Sequence, residues 1–440
     1  MYKKTAKELG DFIKASPTPF HAIAQISRIL CEHGFEKLRE EQKWEIQPGK
    51  KYYVVRNGSS MIAFQTGTDL KDYRFHVTAS HSDSPTFKMK ENAELYVKNK
   101  YTRLNTEGYG GMLCATWFDR PLSIAGRAIV KNRNYLETKL VKIDRDLVMI
   151  PSLAIHMDRT ANDGRQLNKQ VDMLPLLSGE AMEAGALKKL IAEELNICAE
   201  DIYGMDLFLY QRMEPSLWGA HEEFFSAPQL DDLQCAYASL QGFLNGENEK
   251  NVNVFACFDN EEVGSGTKQG AASTMLYDTL WRINHALGKT EEDYYRAVAN
   301  SFLLSCDNAH AVHPNFPAKT DENNCVYMNE GIVVKSHAGQ KYTSDAVSIA
   351  AFKMICEHAE VPIQFFANRS DMAGGSTLGN IAMSQVSMNA IDIGLPQLAM
   401  HSAYETSGIK DVYYLVKATE EFYKSRIVMN DEGSMTMVWE

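Results

Sequence analysis

The chain has 440 residues, of which 57 are acidic and 45 are basic, giving a formal net charge of −12. With 45% hydrophobic residues it has the composition of a globular protein with a large buried core, which excludes an intrinsically disordered chain. The negative charge and the lack of a dense basic run argue against nucleic acid or an anionic membrane surface as a partner.

The location of the protein is predicted from its apolar stretches and its cysteines. The start, MYKKTAKELGDF, lacks the apolar stretch of a signal peptide, and no window approaches the roughly 20 apolar residues of a membrane-spanning helix. The 8 cysteines are scattered without a Cys-x-x-Cys pair, and several, such as Cys257 and Cys306, lie in apolar runs. Reduced core thiols explain them better than a disulfide framework. These features predict a cytoplasmic protein without a membrane segment.

The first part of the chain is predicted to begin with helices and to continue as strands. Amphipathic helices are predicted over 3–15 and 20–34, separated by the Pro-rich turn SPTPF. Residues 51–67 predict a hairpin with Asn-Gly as its turn. Residues 74–85, RFHVTASHSDSP, predict a strand that runs into a polar loop.

The pattern changes between about residues 92 and 215 to short alternating runs such as AELYVKN, SIAGRAIVKN and ETKLVKID, which predict antiparallel strands. Gly-Tyr-Gly-Gly at 108–111 interrupts them, and a helix is predicted near 179–196. We therefore predict that residues 92–215 form an inserted β-rich domain. The insertion would divide a discontinuous domain of residues 1–91 and 216–440.

After about residue 220, apolar strands alternate with helices. The predicted strands are VNVFACFD, SFLLSCD, PIQFFAN and AIDIG, and the predicted helices span 231–247, 268–287, 344–359 and 411–425. This alternation predicts an α/β fold with a mainly parallel central sheet flanked by helices on both faces. Because ligands bind at the carboxyl ends of the strands in such sheets, polar residues that follow the strands are candidates for a functional site.

His81 and Asp83 follow the strand in RFHVTASHSDSP, two positions apart on an extended segment, so their side chains point the same way. Asp83 could accept a hydrogen bond from the ring nitrogen of His81 that does not bind a metal. A structural histidine at a strand end is the alternative. Asp231, at the start of a predicted helix, could bridge two cations or simply cap the helix.

The segment FACFDNEEVGSG carries the most specific signal. An apolar strand ends in Asp259-Asn260-Glu261-Glu262 and is followed by glycines. Two adjacent glutamates at the end of a buried strand are costly unless cations neutralise them. Because adjacent side chains diverge, one glutamate could bind a metal while the other reaches the water on it. The alternative, an exposed acidic turn, fits the apolar approach poorly.

Further candidates follow two later apolar segments, Asp307, His310 and His313 in SCDNAHAVHPNF and His401 in QLAMHSAYE. A buried core histidine is the alternative for each His. The combined set has two histidines and three carboxylates, namely His81, Asp231, Glu262, Asp307 and His401. Such a set suits two closely spaced zinc or similar ions with open coordination positions.

Long, ordered segments resemble the aspartyl aminopeptidase family of dinuclear metallopeptidases, nearly from end to end of the chain. They are SPTPFHA (16–22), RNGSS (56–60), HSDSP (81–85), TWFDRPL (116–122), LAIHMDR (153–159), LNKQ (167–170), LDD (230–232), DNEEVGS (259–265), DNAHAVHPNF (307–316) and QLAMHS (397–402). The resemblance implies a zinc-peptidase fold and two divalent metal ions per subunit, Zn²⁺ first, with Co²⁺ or Mn²⁺ as alternatives.

The resemblance also implies which side chains bind the metal ions. His81 and Asp307 would bind one ion, and Glu262 and His401 would bind the other. Asp231 would bridge the two ions.

The same resemblance makes Glu261 the general base and later the proton donor, and makes Asp83 the residue that orients His81. The implied activity is the release of N-terminal residues from peptides through a water that bridges the two metal ions. A two-metal deacylase or carboxypeptidase and a non-catalytic assembly subunit are the alternatives.

The region 92–215 resembles the dimerisation domain of the family, which assembles as a tetrahedral dodecamer with an enclosed chamber. The protein is therefore expected to be a homododecamer that binds peptide substrates. His156 matches a histidine that reaches into the active site of a neighbouring subunit. His310 lies where a family member would contact substrate.

Lys335 and Tyr342 match positions that line the pocket for the first side chain of the substrate. A lysine there could pair with an Asp or Glu carboxylate, and a solvated lysine near a loop is the alternative. Two departures from the family, Asp232 in place of Asn and Tyr404 in place of Arg, argue against strict acidic specificity. We therefore expect an aminopeptidase that prefers acidic first residues and also accepts neutral ones.

Overall fold

The chain folds around one large sheet with helices on both faces, in a computed structural model that describes residues 1–431 and 433–439. The α-helices are α1 (Tyr2–Ala15), α2 (Pro19–Glu32), α3 (Ala186–Leu195), α4 (Leu230–Asn245), α5 (Met275–Ala286), α6 (Glu291–Ala299), α7 (Ala346–His358), α8 (Leu378–Met383) and α9 (Asp411–Lys424). Shorter 3-10 turns lie at Cys114–Trp117, Ala199–Asp201, Glu261–Val263 and Pro317–Lys319.

The strands are distributed along the whole chain. They are β1 (Glu36–Leu38), β2 (Lys51–Arg56), β3 (Ser60–Thr66), β4 (Phe75–His81), β5 (Thr86–Val97), β6 (Tyr101–Tyr109), β7 (Leu122–Asn132), β8 (Tyr135–Lys142), β9 (Leu176–Ser178), β10 (Ile202–Gln211), β11 (Ser216–Trp218), β12 (Phe224–Ala227), β13 (Val252–Phe258), β14 (Phe302–Cys306), β15 (Ala309–His310), β16 (Ile332–Ser336), β17 (Ile363–Ala367), β18 (Asn389–Gly394), β19 (Pro396–Leu398), β20 (Glu405–Gly408), β21 (Arg426–Asp431) and β22 (Ser434–Val438).

The central sheet has the strand order β1-β2-β3-β13-β4-β14-β18-β16-β17. Its inner strands β13, β4, β14 and β18 run parallel to one another. The flanking strands β3 and β16 run antiparallel to β13 and β18. The predicted α/β fold with a mainly parallel sheet flanked by helices is confirmed.

Both faces of the inner strands are buried, because side chains alternate along a strand and helices cover each side. On one face Phe255 and Cys257 belong to the core formed with α1, α2, α4, α7 and α9. On the other face Val254 and Ala256 belong to the core formed with α5, α6 and α8. Burial on both sides explains why these strands appear in the sequence as continuous apolar runs.

A second sheet, with the order β8-β7-β10-β5-β6-β9, is antiparallel throughout. Helix α3 packs on it through Leu187 and Ile191. Its strands extend from Thr86 to Gln211, and the division into domains at residues 92 and 215 stays a prediction. A smaller sheet, β11-β12-β20-β19-β15, joins segments that flank the carboxyl edge of the central sheet.

Most predicted helices agree with the structure to within 2 residues at either end, but two begin later than predicted. The helix predicted over 179–196 begins at Ala186, because Gly185 has a left-handed backbone with a φ of 80°. The helix predicted over 268–287 begins at Met275, because the residues before it form turns.

No helix in residues 1–431 or 433–439 has the length and apolar character needed to cross a bilayer. All of the cysteines are free, and Cys235, Cys257, Cys306 and Cys356 are buried. The predicted core position is confirmed for these four and is wrong for Cys31 and Cys198, which are exposed, and for the partly exposed Cys114 and Cys325, while the reduced state of the thiols stays a prediction.

Candidate metal centre

Three polar segments leave the neighbouring strands β4, β13 and β14 at their carboxyl ends. His81 is the last residue of β4 and lies beside Phe258, the last residue of β13. Glu261 and Glu262 follow β13 in a 3-10 turn, and Asp307 comes directly after β14. The parallel pairing therefore brings side chains from distant parts of the sequence to one edge of the sheet.

Asp231, in the first turn of α4, lies between two histidines. Its Oδ1 is 3.5 Å from Nε2 of His81, and its Oδ2 is 3.4 Å from Nε2 of His401. The same nitrogen of His401 is 3.3 Å from Oε2 of Glu262. One oxygen of Asp231 therefore faces each histidine, which is the arrangement that a carboxylate needs to bridge two metal ions.

Three overlapping groups of side chains could each hold a metal ion, with ligand atoms that within each group all lie within 4.8 Å of one another. They are His81, Asp231, Asp232 and Asp307, then Asp231, Glu262 and His401, and then His81, Glu261 and Glu262. Among the described residues, the buried atoms Asp231 Oδ1 and Glu262 Oε1 find no hydrogen-bond partner. Such oxygens are costly to bury, and a divalent cation would satisfy them. Imidazole and carboxylate are zinc ligands, so these residues fit zinc.

The protonation of the cluster is strongly perturbed. Burial, reinforced by the charge of Asp231, raises the pKa of Glu262 and of Asp307. Burial would also raise the pKa of Asp231, but the neighbouring imidazoles of His401 and His81 outweigh it and lower that pKa. Burial acts to lower the pKa of His401, yet Asp231 and Glu262 raise it to about 10. Without a cation, Glu262, Asp307 and His401 therefore bind protons more tightly than in water, and a divalent ion would displace these protons.

Glu261 lies beside this cluster, with a ligand atom within 4.8 Å of those of His81 and Glu262. Burial, reinforced by the charges of Asp307 and Asp83, raises its pKa to about 8. Divalent ions beside Glu261 would lower this pKa towards neutral, where a carboxylate can both accept and return a proton. Its position also permits metal ligation.

Asp83 is fully buried and holds the turn that carries the two glutamates. Its Oδ1 accepts a hydrogen bond from the backbone N–H of Glu261 at 3.1 Å. Its Oδ2 accepts from the backbone N–H of Glu262 at 3.1 Å and from the hydroxyl of Tyr109 at 2.7 Å. Nδ1 of His81 lies 3.4 Å from Oδ1 of Asp83 and 3.1 Å from its carbonyl oxygen. Asp83 therefore contacts both His81 and the glutamate turn, and the sequence predicted only the first contact.

Asp232 and Glu405 are two buried carboxylates at the centre that were not assigned a role from the sequence. Oδ2 of Asp232 accepts a hydrogen bond from the backbone N–H of His81 at 3.2 Å. Glu405 accepts from the backbone N–H of Asp231 at 2.9 Å and from that of His401 at 2.6 Å. Signals were present, because Asp232 adjoins Asp231 and Glu405 follows His401 by four positions in the sequence.

His401 lies between β19 and β20, with a left-handed φ of 67°. Its Nδ1 is 2.9 Å from the carbonyl oxygen of Gly111, which belongs to the Gly-Tyr-Gly-Gly segment after β6. A donor at Nδ1 leaves Nε2 as the nitrogen that can bind a metal, and Nε2 is the one that faces Asp231.

Lys335 is buried beneath the cluster with 2% of its surface exposed, so the alternative of a solvated lysine is wrong. Its Nζ donates to the carbonyl oxygens of Asp307 at 2.8 Å and of Asn308 at 3.2 Å. The ring centre of Tyr342 lies 5.3 Å from the same nitrogen. Lys335 and Tyr342 therefore lie together, close to the predicted ligand Asp307.

His310 and His156, the remaining predicted substrate contacts, lie in different places. His310 is exposed at the cluster, and its ring centre is 6.4 Å from that of Phe366, the residue paired with Lys335 across β16 and β17. His156 lies in an exposed stretch between β8 and β9, and no contact in the described part of the chain joins it to the cluster. The structure therefore brings His310 to the candidate centre of its own chain but not His156.

Comparisons with known proteins show the family of the chain. A family model described as aminopeptidase I zinc metalloprotease (M18) matches residues 12–423. A probable M18 family aminopeptidase 2 of Clostridium novyi is 46% identical over 426 residues, which cover 96% of this chain and 98% of that protein.

Solved structures are similar over almost the whole chain. The mApe1 dodecamer of S. cerevisiae has a TM-score of 0.84 at 28% identity, covering 96% of this chain and 97% of that one. The M18 aminopeptidase of Thermotoga maritima has a TM-score of 0.84 at 25% identity, covering 96% of each chain. With side chains that could hold zinc at the sheet edge and these matches, the chain belongs to the M18 family of zinc aminopeptidases.

Proposed function

We propose that the protein is a dinuclear aminopeptidase that releases N-terminal residues from peptides, prefers acidic first residues and also accepts neutral ones. Membership of the M18 family already makes it a zinc aminopeptidase. The proposal adds the number of metal ions, the role of each residue and the substrate preference.

The observation that carries the proposal is the position of Asp231, with one carboxylate oxygen toward each histidine. We assign Asp231 to both of two ions, His81 and Asp307 to one ion, and Glu262 and His401 to the other. The buried oxygens Oδ1 of Asp231 and Oε1 of Glu262, which accept no hydrogen bond from the described residues, support this assignment. Zinc is the ion that the family model names, and Co²⁺ or Mn²⁺ would also suit these ligands.

The residues of the chain have to move one proton during peptide hydrolysis. When bound, the two ions would supply Lewis acidity to the scissile carbonyl and lower the pKa of water. Glu261 accepts the proton of the attacking water and returns it to the leaving amine. Oδ1 of Asp83 accepts a hydrogen bond from the backbone N–H of Glu261 at 3.1 Å, which holds the base in place. The same oxygen lies 3.4 Å from Nδ1 of His81, the ring nitrogen that faces away from Asp231.

The buried ammonium of Lys335 supports a preference for acidic first residues. Burial acts to lower its pKa, but the charge of Asp307 outweighs that effect and raises it, so Lys335 stays charged. Two of its three N–H donors are bound to carbonyl oxygens, and Oδ2 of Asp307 lies 4.0 Å from Nζ, so a substrate carboxylate would share the third donor with Asp307. Because those carbonyls already stabilise the ammonium, a neutral first residue would not leave the charge unpaired.

A peptide assay read by mass spectrometry tests the reaction. We expect an unblocked peptide to lose residues one at a time from its N-terminus, and the same peptide with an acetylated N-terminus to resist cleavage. A C-terminally amidated peptide is the control and should be cleaved like the unblocked one. Shortening from the C-terminus, or removal of the acetyl group alone, would establish the carboxypeptidase or deacylase alternative. Inactive, zinc-free protein would establish the assembly subunit.

Replacement of Lys335 by Met is expected to reduce activity on acidic substrates selectively. We expect kcat/KM for Asp and Glu substrates to fall by roughly 10- to 100-fold relative to Leu, because a hydrogen bond between charged groups is lost. A panel of aminoacyl chromogenic substrates measures this, and the ratio of two substrates on one preparation is independent of the amount of active protein.

The matched control is Lys353→Met, which changes an exposed lysine on α7 and should leave the panel unchanged. An Asp-to-Leu ratio that is the same in the Lys335→Met variant and the unaltered protein would refute the role of Lys335. Leu or Met substrates at the top of the unaltered panel would refute the acidic preference itself.

For the assembly, we propose a homododecamer in which residues 92–215 form the dimerisation domain and His156 reaches a neighbouring active site. The S. cerevisiae relative is a dodecamer. Around His156, the apolar side chains of Leu153, Ile155 and Met157 are 46%, 44% and 75% exposed, which an interface between subunits would explain. The free cysteines support a reducing compartment such as the cytoplasm.

A further inference from the structure

Tyr109 is a residue of the antiparallel sheet that reaches the catalytic turn and has no role in the mechanism above. It is the last residue of β6, and its hydroxyl donates to Oδ2 of Asp83 at 2.7 Å and accepts from Nδ2 of Asn260 at 2.8 Å. We propose that Tyr109 is a positioning residue that holds Glu261 in the orientation needed for proton transfer. The inference rests on the proposed role of Glu261 as general base.

The first link from Tyr109 to Glu261 runs through Asp83. The carboxylate of Asp83 is fully buried and holds the backbone N–H groups of Glu261 and Glu262, each at 3.1 Å. A buried carboxylate keeps its orientation through the donors that surround it. Loss of the Tyr109 hydroxyl would leave Oδ2 of Asp83 with the amide of Glu262 as its remaining protein donor in the described part of the chain.

The second link runs through Asn260, which directly precedes Glu261 and has a left-handed φ of 62°. While its Nδ2 donates to Tyr109, its Oδ1 accepts from Oγ1 of Thr267 at 2.8 Å and from Nε2 of Gln269 at 2.9 Å. The side chain of Asn260 therefore ties the far end of the loop to the Tyr109 hydroxyl. The hydroxyl oxygen of Tyr109 therefore contacts both Asn260, which precedes Glu261, and Asp83, which binds the backbone of Glu261 and Glu262.

Packing alone does not fix the ring of Tyr109. The ring lines a cavity of about 380 Å³ that lies between the start of α2, the antiparallel sheet and the loop after β13. It contacts Phe208 edge to face, with ring centres 5.8 Å apart. Because open space lies on one side of the ring, the two hydrogen bonds of the hydroxyl determine where it sits.

The glycines after Tyr109 keep this segment close to the metal centre. A Cβ on Gly110 would lie 3.2 Å from Cβ of Glu262, and the carbonyl of Gly111 is bound to Nδ1 of His401. The segment therefore touches the glutamate turn on one side and a predicted metal ligand on the other. The orientation of Glu261 therefore depends on how the antiparallel sheet, through the end of β6, packs against the glutamate turn.

Tyr109→Phe tests the proposal, because it removes the hydroxyl and keeps the ring. We expect kcat to fall by roughly 10- to 100-fold, the usual cost of losing a hydrogen bond that orients a metal-site residue. KM should stay within about two-fold, because ground-state binding does not involve the base. The bound zinc per chain, measured by elemental analysis, should be unchanged.

The matched control is Tyr101→Phe, which removes the hydroxyl of a half-exposed tyrosine at the other end of β6 and should leave kcat unchanged. Asn260→Gly is a second variant that removes the other partner, and glycine accepts the positive φ at this position. It should also lower kcat, and the double variant should lose less than the product of the two separate effects, because both act through one link.

A Tyr109→Phe variant with unchanged kcat would overturn the proposal. A loss of zinc in proportion to activity would overturn it too, since Tyr109 would then support the metal ions and not the base. If the double variant lost the full product of the two separate kcat effects, Tyr109 and Asn260 would act independently and not through the hydrogen bond between them. The Glu261→Gln variant distinguishes failure of the Tyr109 proposal from failure of the proposed function. If Glu261→Gln keeps its turnover, Glu261 is not the general base, whatever the result for Tyr109→Phe.

Discussion

Glu261→Gln is expected to remove nearly all turnover while the protein keeps its zinc. Glutamine has almost the same shape as glutamate, but its amide cannot accept the proton of the attacking water. General acid–base catalysis contributes roughly 10²- to 10⁴-fold to such reactions. Because Glu261 would serve both the attack and the departure of the amine, we expect kcat to fall by roughly 10³-fold or more.

The measurement combines kcat on an aminoacyl chromogenic substrate with the zinc content of the same preparation. Glu262→Gln provides the contrast, because Oε2 of Glu262 lies 3.3 Å from Nε2 of His401, and this variant should lose zinc as well as activity. Glu193→Gln, at an exposed position of α3, should behave like the unaltered protein.

Two results would contradict the assignment of Glu261. Substantial kcat in Glu261→Gln would show that another group moves the proton. Loss of zinc from this variant would instead make Glu261 a metal ligand, a role that its approach to His81 and Glu262 also permits. The zinc content therefore distinguishes the two carboxylates more directly than activity does.

The parts of the centre that the sequence could predict are those with a local signal. Glu261, Glu262 and Asp307 each follow an apolar strand, and polar groups at the end of a buried strand need a partner. The pairing of β4 with β13 and β14 has no local signal, because these strands are distant in the sequence and adjacent only in the sheet. The pairing of ligands into two sites therefore came from the family resemblance.

Tyr109 and Lys335 show the limit of sequence reasoning most clearly. A tyrosine between glycines suggested only an interruption of the strand pattern, since its partners Asp83 and Asn260 belong to other parts of the chain. For Lys335 the sequence left open a lysine that pairs with a substrate carboxylate and a solvated lysine near a loop, and the carbonyl oxygens that bind its ammonium come from the loop after β14. Tertiary contacts, which no local pattern encodes, decide both cases.

Helix α6 shows that an available signal was also missed. Thr290 and Asp293 form a capping box at its start, with each side chain bound to the other residue's backbone N–H. Thr-x-x-Asp before a helical pattern is the kind of start signal that sequence reasoning can use. The buried residues Tyr294, Ala297 and Val298 also have the i, i+3, i+4 spacing of a helix, but the helix is only 9 residues long, so the pattern does not repeat far enough to stand out.

Removal of the metal ions is expected to abolish activity and to make the folded state less stable as the pH rises. Burial raises the pKa of Glu261 to about 8, and Asp231 and Glu262 outweigh burial to raise that of His401 to about 10. A group with a raised pKa binds its proton more tightly in the folded state. Its contribution to stability is therefore complete below the ordinary pKa, 4.5 for Glu261 and 6.5 for His401, and is lost as the pH rises through the raised value.

The thermal unfolding midpoint of the chelated protein should therefore decrease from about pH 5 to about pH 9. Asp231 does not reverse this trend, because its lowered pKa places its titration below that window. Added zinc should restore activity and should raise the midpoint more at high pH than at low pH, because at high pH fewer protons compete for the ligands. Scanning calorimetry at several pH values, with and without zinc, measures both effects.

His401→Gln identifies the group responsible, since it should flatten the upper part of the pH dependence in the chelated protein. His285→Gln, at an exposed position of α5, should not change it. Calorimetric titration with zinc in buffers of different ionisation enthalpy should show that protons are released on binding. Two results would contradict this prediction: metal-free protein that becomes more stable from pH 5 to pH 9, or zinc binding without proton release. Either result would mean that the side chains of the metal-free centre do not bind the protons that zinc is expected to displace.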